Sequence, residues 1–192
     1  KYILTVHDLF FIKYDDYRFR KTLQRINLLS ILFADCIISV SEYVKNELEI
    51  LGYKGPVYII HEFIDDQFLN TRNISNGFQK NEYKVEKNKN YTLGFIGKLD
   101  SKRKNLLNAF KIFKKSSYNW NFELWGIYSN TTLMHKILKE INGDNRIKIM
   151  GRFNDSDKVQ IYQRFLALFH PSYEEGTGLT VLEAFSQEVP VI

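Results

Sequence analysis

Two carboxylates, Glu175 and Glu183, stand eight positions apart in the segment HPSYEEGTGLTVLEAF, His170 to Phe185, with a Gly-Thr-Gly turn between them. A carboxylate accepts paired hydrogen bonds from vicinal hydroxyls, which is how proteins hold ribose and hexose rings. The residues between the acids are small. Gly176 and Gly178 allow backbone to approach a ligand closely. A helix beginning near Leu179 would aim the unpaired amides of Thr177 to Thr180 at an anion. The spacing therefore fits a phosphate bracketed by two sugar-binding acids. It also fits a plainer arrangement, in which Glu183 favours the helix dipole and Glu175 is solvated.

A second cluster, GKLDSKRKNL, runs from Gly97 to Leu106. Lys98 follows an apolar run and Lys104 precedes a helical one. Cations at a helix N-terminus oppose its dipole, so the pair makes better sense sharing an anion than as stabilising charges. A solvated basic loop is the alternative. In TVHD, His7 stands at the end of a strand-like run, where an imidazole can donate to a phosphate or hydroxyl or take a proton.

These residues need a frame that gathers them. YILTVH, CIISV and VYII read as short buried strands in the first part of the chain, with helices across Phe19–Phe33 and from Ser41 to about Leu51. Leu23, Ile26, Leu29 and Phe33 repeat at helical spacing in the first helix. Ser39 with Glu42 forms a candidate capping box for the second, with Ser41 an alternative cap and Gly52 its stop. From 70 to 90 the chain is rich in Asn and Lys, which predicts a linker or surface loop. Beyond it strands alternate with helices: YTLGFIG, Asn105–Lys115, FELWG, Thr131–Ile141, IKIMG, Ser156–Phe165, LALFH, Leu179–Gln187 and VPVI. That alternation predicts an α/β fold with parallel sheets covered on both faces. Each candidate motif lies just after a strand, where such sheets bind ligands.

The totals narrow the classes. The 192 residues are 44% apolar with a formal charge of +5, enough for a core and suited to an anionic partner. The single cysteine, Cys36, excludes an internal disulfide and a cysteine-based zinc cluster, and its apolar setting reads as a structural thiol in a reducing, cytoplasmic compartment. No apolar run reaches the length of a membrane span, and no signal peptide is visible. The chain opens at KYILTV and stops at PVI, both strand-like, so an internal piece of a longer protein is expected.

The motifs together resemble the retaining GT-B glycosyltransferases of family 4, also called group 1. EGTGLTVLE fits the family's E-x7-E signature, and the surrounding PSYEEGTGLTVLEAFSQEVPVI is similar at nearly every position. GKLDSKRKNL resembles its Gly-Arg-(x)n-Lys phosphate loop. TVHD followed by ADCIISVSEYVKNEL resembles the end of its N-terminal domain. The resemblance implies two Rossmann-like domains, both cut short here: 1–69 as the end of the acceptor-side domain, 70–90 as linker, 91–192 as the donor-binding domain. A nucleoside-diphosphate sugar would lie in the cleft between them. By the same resemblance Lys98 and Lys104 would neutralise the diphosphate and the amides of Gly178 and Leu179 would contact it. Glu175 would hold the donor sugar and steady its charge as the glycosidic bond breaks. Glu183 would bind the ribose, Arg152 and Phe153 the base, and His7 would reach toward the sugar and departing phosphate. No metal and no cofactor are implied, the donor being a substrate.

The chain departs from the family pattern in three places. Lys98 replaces the usual Arg and loses its bidentate fork. HEFIDD stands where Pro-Asn-Gly-Val-Asp is usual, and Glu188 takes the place of a glycine. The expected reaction moves a hexose to a glycan or lipid-linked acceptor with retention, although the isolated piece is expected to be inactive. A GT-B nucleotide-sugar epimerase is the enzymatic alternative and a basic nucleic-acid-binding domain the non-enzymatic one. Against nucleic acid as a partner, the lysines cluster at strand ends rather than along a stripe of exposed aromatics. The basic surface suits peripheral contact with an anionic membrane, at the inner face, where lipid-linked glycans are built.

Overall fold

The computed structural model describes residues 1–14, 20–69, 91–129 and 131–192. Residues 70–90, expected as a linker or surface loop, and Phe19, the expected first residue of a helix, lie outside the described residues. The chain divides into two compact units, Lys1–Phe63 with Glu174–Leu179, and Ile64–Tyr173 with Thr180–Ile192.

Unit one is built on three parallel strands in the order β1 (Ile3–Val6), β2 (Cys36–Ser39) and β3 (Val57–Ile59). Helix α1 (Phe10–Lys13) is a single turn that the sequence pattern does not announce. Helix α2 spans Arg20–Leu32 and α3 spans Glu42–Leu51. Ser41, not Ser39, caps α3: its hydroxyl accepts from the Val44 amide, while the Ser39 hydroxyl donates to the Ser41 carbonyl. The core gathers Val6, Leu9, Ile31, Ile37, Val40, Val44 and Leu48. The repeat that marks α2 as a helix, Leu23, Ile26 and Leu29, is exposed, because α2 meets this core through Ile31 instead.

Unit two holds a four-stranded parallel sheet in the order β6 (Ile147–Gly151), β5 (Asn121–Trp125), β4 (Thr92–Ile96), β7 (Ala167–Leu168). A bridge from Leu168 to Val191 extends it. Its helices are α4 (Leu106–Lys115), α5 (Thr132–Ile141), α6 (Lys158–Tyr162) and α7 (Leu179–Ser186). Two apolar clusters cover the sheet. One is centred on Phe95, Leu99, Phe110, Phe122 and Leu124. The other is centred on Phe68, Ile96, Tyr162, Phe165 and Ala184.

Three predicted elements are shorter than their sequence pattern suggests, and of VPVI only the bridge at Val191 remains. The helix expected over Ser156–Phe165 is α-helical only over Lys158–Tyr162. Asn154 and Asp157 close a reciprocal capping box around a 3-10 turn at Asp155–Asp157, so the α-helix starts at Lys158 rather than Ser156. LALFH yields only two strand residues, because it pairs with β4 over Ala167 and Leu168 alone. Among the described residues no helix is long and apolar enough to cross a membrane.

Candidate donor-binding site

The strand order of unit two fixes where a ligand belongs. Chain order starts at β4, proceeds outward through β5 to β6, then returns to the other side of β4 with β7. The order therefore reverses between β4 and β7, and open parallel sheets bind ligands beyond the carboxyl ends of strands at such a point. The loops after β4 and β7 carry GKLDSKRKNL and HPSYEEGTG. Hydrogen bonds join them: the Tyr173 amide donates to the Arg103 carbonyl at 3.0 Å, and Asn105 Nδ2 donates to the Pro171 carbonyl at 3.2 Å. Two motifs some seventy residues apart in sequence are thus tied together at the switch point.

Within the first loop the two lysines differ. Lys98 is partly exposed, with Nζ 4.0 Å from Oδ1 of Asp100. The Asp100 side chain is buried, and its Oδ2 accepts from the Ser129 amide at 3.0 Å. Lys104 is itself buried, at 7% exposure, in a 3-10 turn of Lys102–Lys104 that precedes α4. Its aliphatic stem runs past Gly97. A buried ammonium at the start of a helix is costly unless compensated by negative charge.

Glu183 is held through both of its carboxylate oxygens. It lies on α7 at 6% exposure. Its Oε1 accepts from Lys158 Nζ at 3.1 Å and its Oε2 from the Tyr162 hydroxyl at 2.7 Å. The same hydroxyl is 3.1 Å from the Thr180 carbonyl, but its one proton serves the shorter bond. Burial, then the charge of Glu183, push the Tyr162 phenol far above its ordinary range, so it stays a donor. Burial works to lower the Lys158 pKa, but its bonds to Glu183 and Asp155 outweigh that and hold the ammonium above the usual lysine range. The sequence reading missed both partners. Their only signal was a Lys and a Tyr four residues apart in a short helical run, a spacing that puts both on one face.

Arg152 and Phe153 follow β6 directly. Arg152 is exposed, while Phe153 packs edge-on against Trp125 with ring centroids 6.2 Å apart. Arg164 donates to Glu123 at 2.7 Å, and its guanidinium lies 5.7 Å from the Trp125 ring centroid.

In unit one, His7 Nδ1 lies 2.6 Å from Oε1 of Glu62, and its side chain is 63% exposed. Glu62 belongs to HEFIDD, the segment that departs from the family pattern, and was not among the expected site residues. The contact with Glu62 is made through Nδ1, so Nε2 is the ring nitrogen it leaves over. The segment Glu174–Leu179 belongs to the same unit. Glu174, next to Glu175, accepts from Lys13 Nζ at 3.2 Å, and Lys13 also meets Glu47 at 2.7 Å. A side chain at Gly176 would strike the His7 carbonyl, so only glycine fits there. Gly178 has φ 75°, a conformation that favours glycine, and it leads directly into α7 at Leu179. Among the described residues, Thr177 Oγ1 and Ser172 Oγ are buried without a hydrogen-bonding partner. No group of three or more metal-ligating side chains is placed to hold an ion among the described residues.

Residues 77–192 match the family Glycosyl transferases group 1, and residues 1–68 match Glycosyltransferase Family 4. The chain is 29% identical over 162 residues to the processive diacylglycerol alpha-glucosyltransferase of Acholeplasma laidlawii, covering 83% of this chain and 48% of that protein. In structure it is similar to Anabaena HepE in complex with UDP and glucose. That likeness has a TM-score of 0.75 and 17% identity, and covers 98% of this chain and 51% of that one. The sucrose-phosphate synthase of Thermosynechococcus elongatus gives a TM-score of 0.71 and 17% identity, covering 98% of this chain and 49% of that one. The chain therefore spans about half the length of the relatives it matches. The structural likenesses establish an α/β fold of GT-B type with two parallel sheets. With the group 1 match extending over more than half of its residues, the chain belongs to the glycosyl transferases group 1, the family 4 type of GT-B glycosyltransferase.

Proposed function

We infer that the protein containing this chain transfers a hexose from a nucleoside-diphosphate sugar to a glycan or lipid-linked acceptor with retention of configuration. The observation that carries this reading is the joining of the basic loop after β4 to the loop after β7 at the switch point of unit two. In this reading Lys98 and Lys104 neutralise the leaving diphosphate, and the amides of Gly178 and Leu179 bind it at the start of α7. The buried hydroxyl of Thr177, beside Gly178, would gain an acceptor from the same oxyanions. Glu183 binds the ribose diol and Arg152 with Phe153 the base. Glu175 holds the sugar and stabilises the oxocarbenium-like charge as the bond to phosphate breaks. His7 acts on the sugar and departing phosphate. The acceptor attacks from the face the diphosphate leaves, so the residues contribute leaving-group electrostatics and positioning.

A UDP-hexose is the donor to try first, given the UDP and glucose in the HepE complex. A diacylglycerol-type acceptor is suggested by the Acholeplasma enzyme. The test is a screen of UDP, GDP and ADP sugars on the intact protein, followed by acceptor trials. Transfer of a hexose with retention supports the reading. Conversion of the donor to an epimer without acceptor would favour an epimerase, and no binding of any nucleotide would overturn both.

A groove between α4 and α5 supports membrane contact as a further part of this reading. It is lined by Lys111, Lys114, Lys136 and Lys139 with Leu107 and the single acid Glu140. Such a face suits a layer of anionic lipid headgroups. Vesicles rich in phosphatidylglycerol should bind the protein at low salt and phosphatidylcholine vesicles should not. Equal retention on both would remove the electrostatic argument.

A further inference from the structure

A carboxylate that grips a vicinal diol must offer both oxygens, ionised and held in one plane. Glu183 has each oxygen engaged by one protein donor, Lys158 on Oε1 and the Tyr162 hydroxyl on Oε2. These donors sit four residues apart on α6 and so project from one face of one helix. Lys158 also reaches Asp155 Oδ1 at 3.3 Å, an acid whose side chain is 85% exposed against 8% for Glu183. The ammonium thus spans from solvent to a buried acid. An ionised carboxylate has about four acceptor sites, two per oxygen. One on each oxygen is filled, which leaves one on each.

We propose that Lys158 and Tyr162 are positioning residues that set ribose recognition by Glu183. They hold the carboxylate in place from one side and direct its remaining acceptor sites toward the 2′ and 3′ hydroxyls. The proposal rests on the assignment of Glu183 to the ribose. Lys158 supplies the positive charge that pairs with the buried acid at 3.1 Å, a task arginine can share and methionine cannot. Tyr162 supplies a neutral donor that fixes the plane of the group. A purely structural ion pair would affect folding but not the preference for one sugar over another.

The experiment compares the affinity of the intact protein for UDP and for 2′-deoxy-UDP, or for the guanosine pair if that is the nucleotide it binds. It uses wild type, Glu183→Ala, Lys158→Met, Lys158→Arg and Tyr162→Phe, each checked by urea unfolding. Loss of one hydrogen bond to a charged group should make wild type favour ribose by about tenfold or more. Lys158→Met and Tyr162→Phe should cut that ratio to about threefold or less, and Lys158→Arg should restore most of it. A wild-type ratio in Glu183→Ala would remove the ribose assignment and the proposal together. A ratio abolished by Glu183→Ala but kept by Lys158→Met and Tyr162→Phe would leave the assignment standing and overturn the positioning role. If Lys158→Met does not fold, Tyr162→Phe decides the matter alone, since it removes a donor without removing a charge.

Discussion

Two paired carboxylates, Glu183 in unit two and Glu62 in unit one, are built in opposite ways. In unit two, Glu183 is buried and takes two donors from one face of α6. In unit one, Glu62 takes one contact, from an imidazole that is more than half exposed. Desolvation makes the first arrangement rigid and expensive to break, because removing a partner strands a buried charge. Solvent makes the second cheap to break. A group that must hold a fixed part of a ligand suits the first design. One that must meet a changing bond suits the second.

The largest effect should come from the chemistry between these extremes. Glu175→Gln keeps shape and removes charge where the account places sugar stabilisation. It should lower kcat by about a hundredfold or more, as loss of electrostatic transition-state stabilisation does. Steady-state kinetics checks it, and unchanged turnover would remove Glu175 from its role.

Next comes the buried cluster itself. Tyr162→Phe leaves Glu183 one donor short and should cost about 1–3 kcal/mol of stability. Urea unfolding reads this directly. A change near zero would mean that Glu183 is not buried as described, and the contrast with Glu62 would collapse.

A smaller effect, of opposite sign, is expected at the C-terminal end of α7, the helix that carries Glu183. Helix α3 ends in a Schellman motif, in which Tyr53 and Gly52 amides return to the Leu48 and Glu49 carbonyls, with Gly52 at φ 97°. Helix α7 ends identically, with Val189 bonding to Ala184 and Glu188 to Phe185, yet the left-handed position holds Glu188 at φ 59°. This explains in physical terms why a glycine is usual there. Glu188→Gly should raise stability by about 0.5–1 kcal/mol without altering nucleotide affinity. Thermal unfolding with a UDP titration would show it, and a destabilised variant would contradict the strain at this position.

The smallest effect belongs to the pair formed with the exposed imidazole. Glu62→Gln should change unfolding by less than about 0.5 kcal/mol. A loss comparable to that of Tyr162→Phe would erase the distinction between the two designs.

Much of this was legible in the sequence, for reasons that differ by residue. The alternation of apolar strands and helices was sufficient for parallel sheets, and Gly52 marked the stop of α3 by its conformational freedom. The E-x7-E spacing located α7, since Leu179 opens the helix and Glu183 follows on it. The partners of Glu183 were not legible. Tyr162 and Lys158 lie 21 and 25 positions away, and only the packing of α6 against α7 brings them in. Glu62 was hidden differently, within a segment that breaks the expected pattern. The single turn of α1 lacks a periodic signal altogether. The exposed stripe of α2 shows that helical spacing marks a helix without marking which face is buried.

The central claim is that the buried acid binds the nucleoside while Glu175 serves the reacting sugar. Titrating UDP into the intact wild type, Glu183→Gln and Glu175→Gln tests it most directly. Glu183→Gln should weaken UDP binding by about tenfold or more while Glu175→Gln stays within about threefold. Equal losses in both variants, or a loss confined to Glu175→Gln, would contradict it.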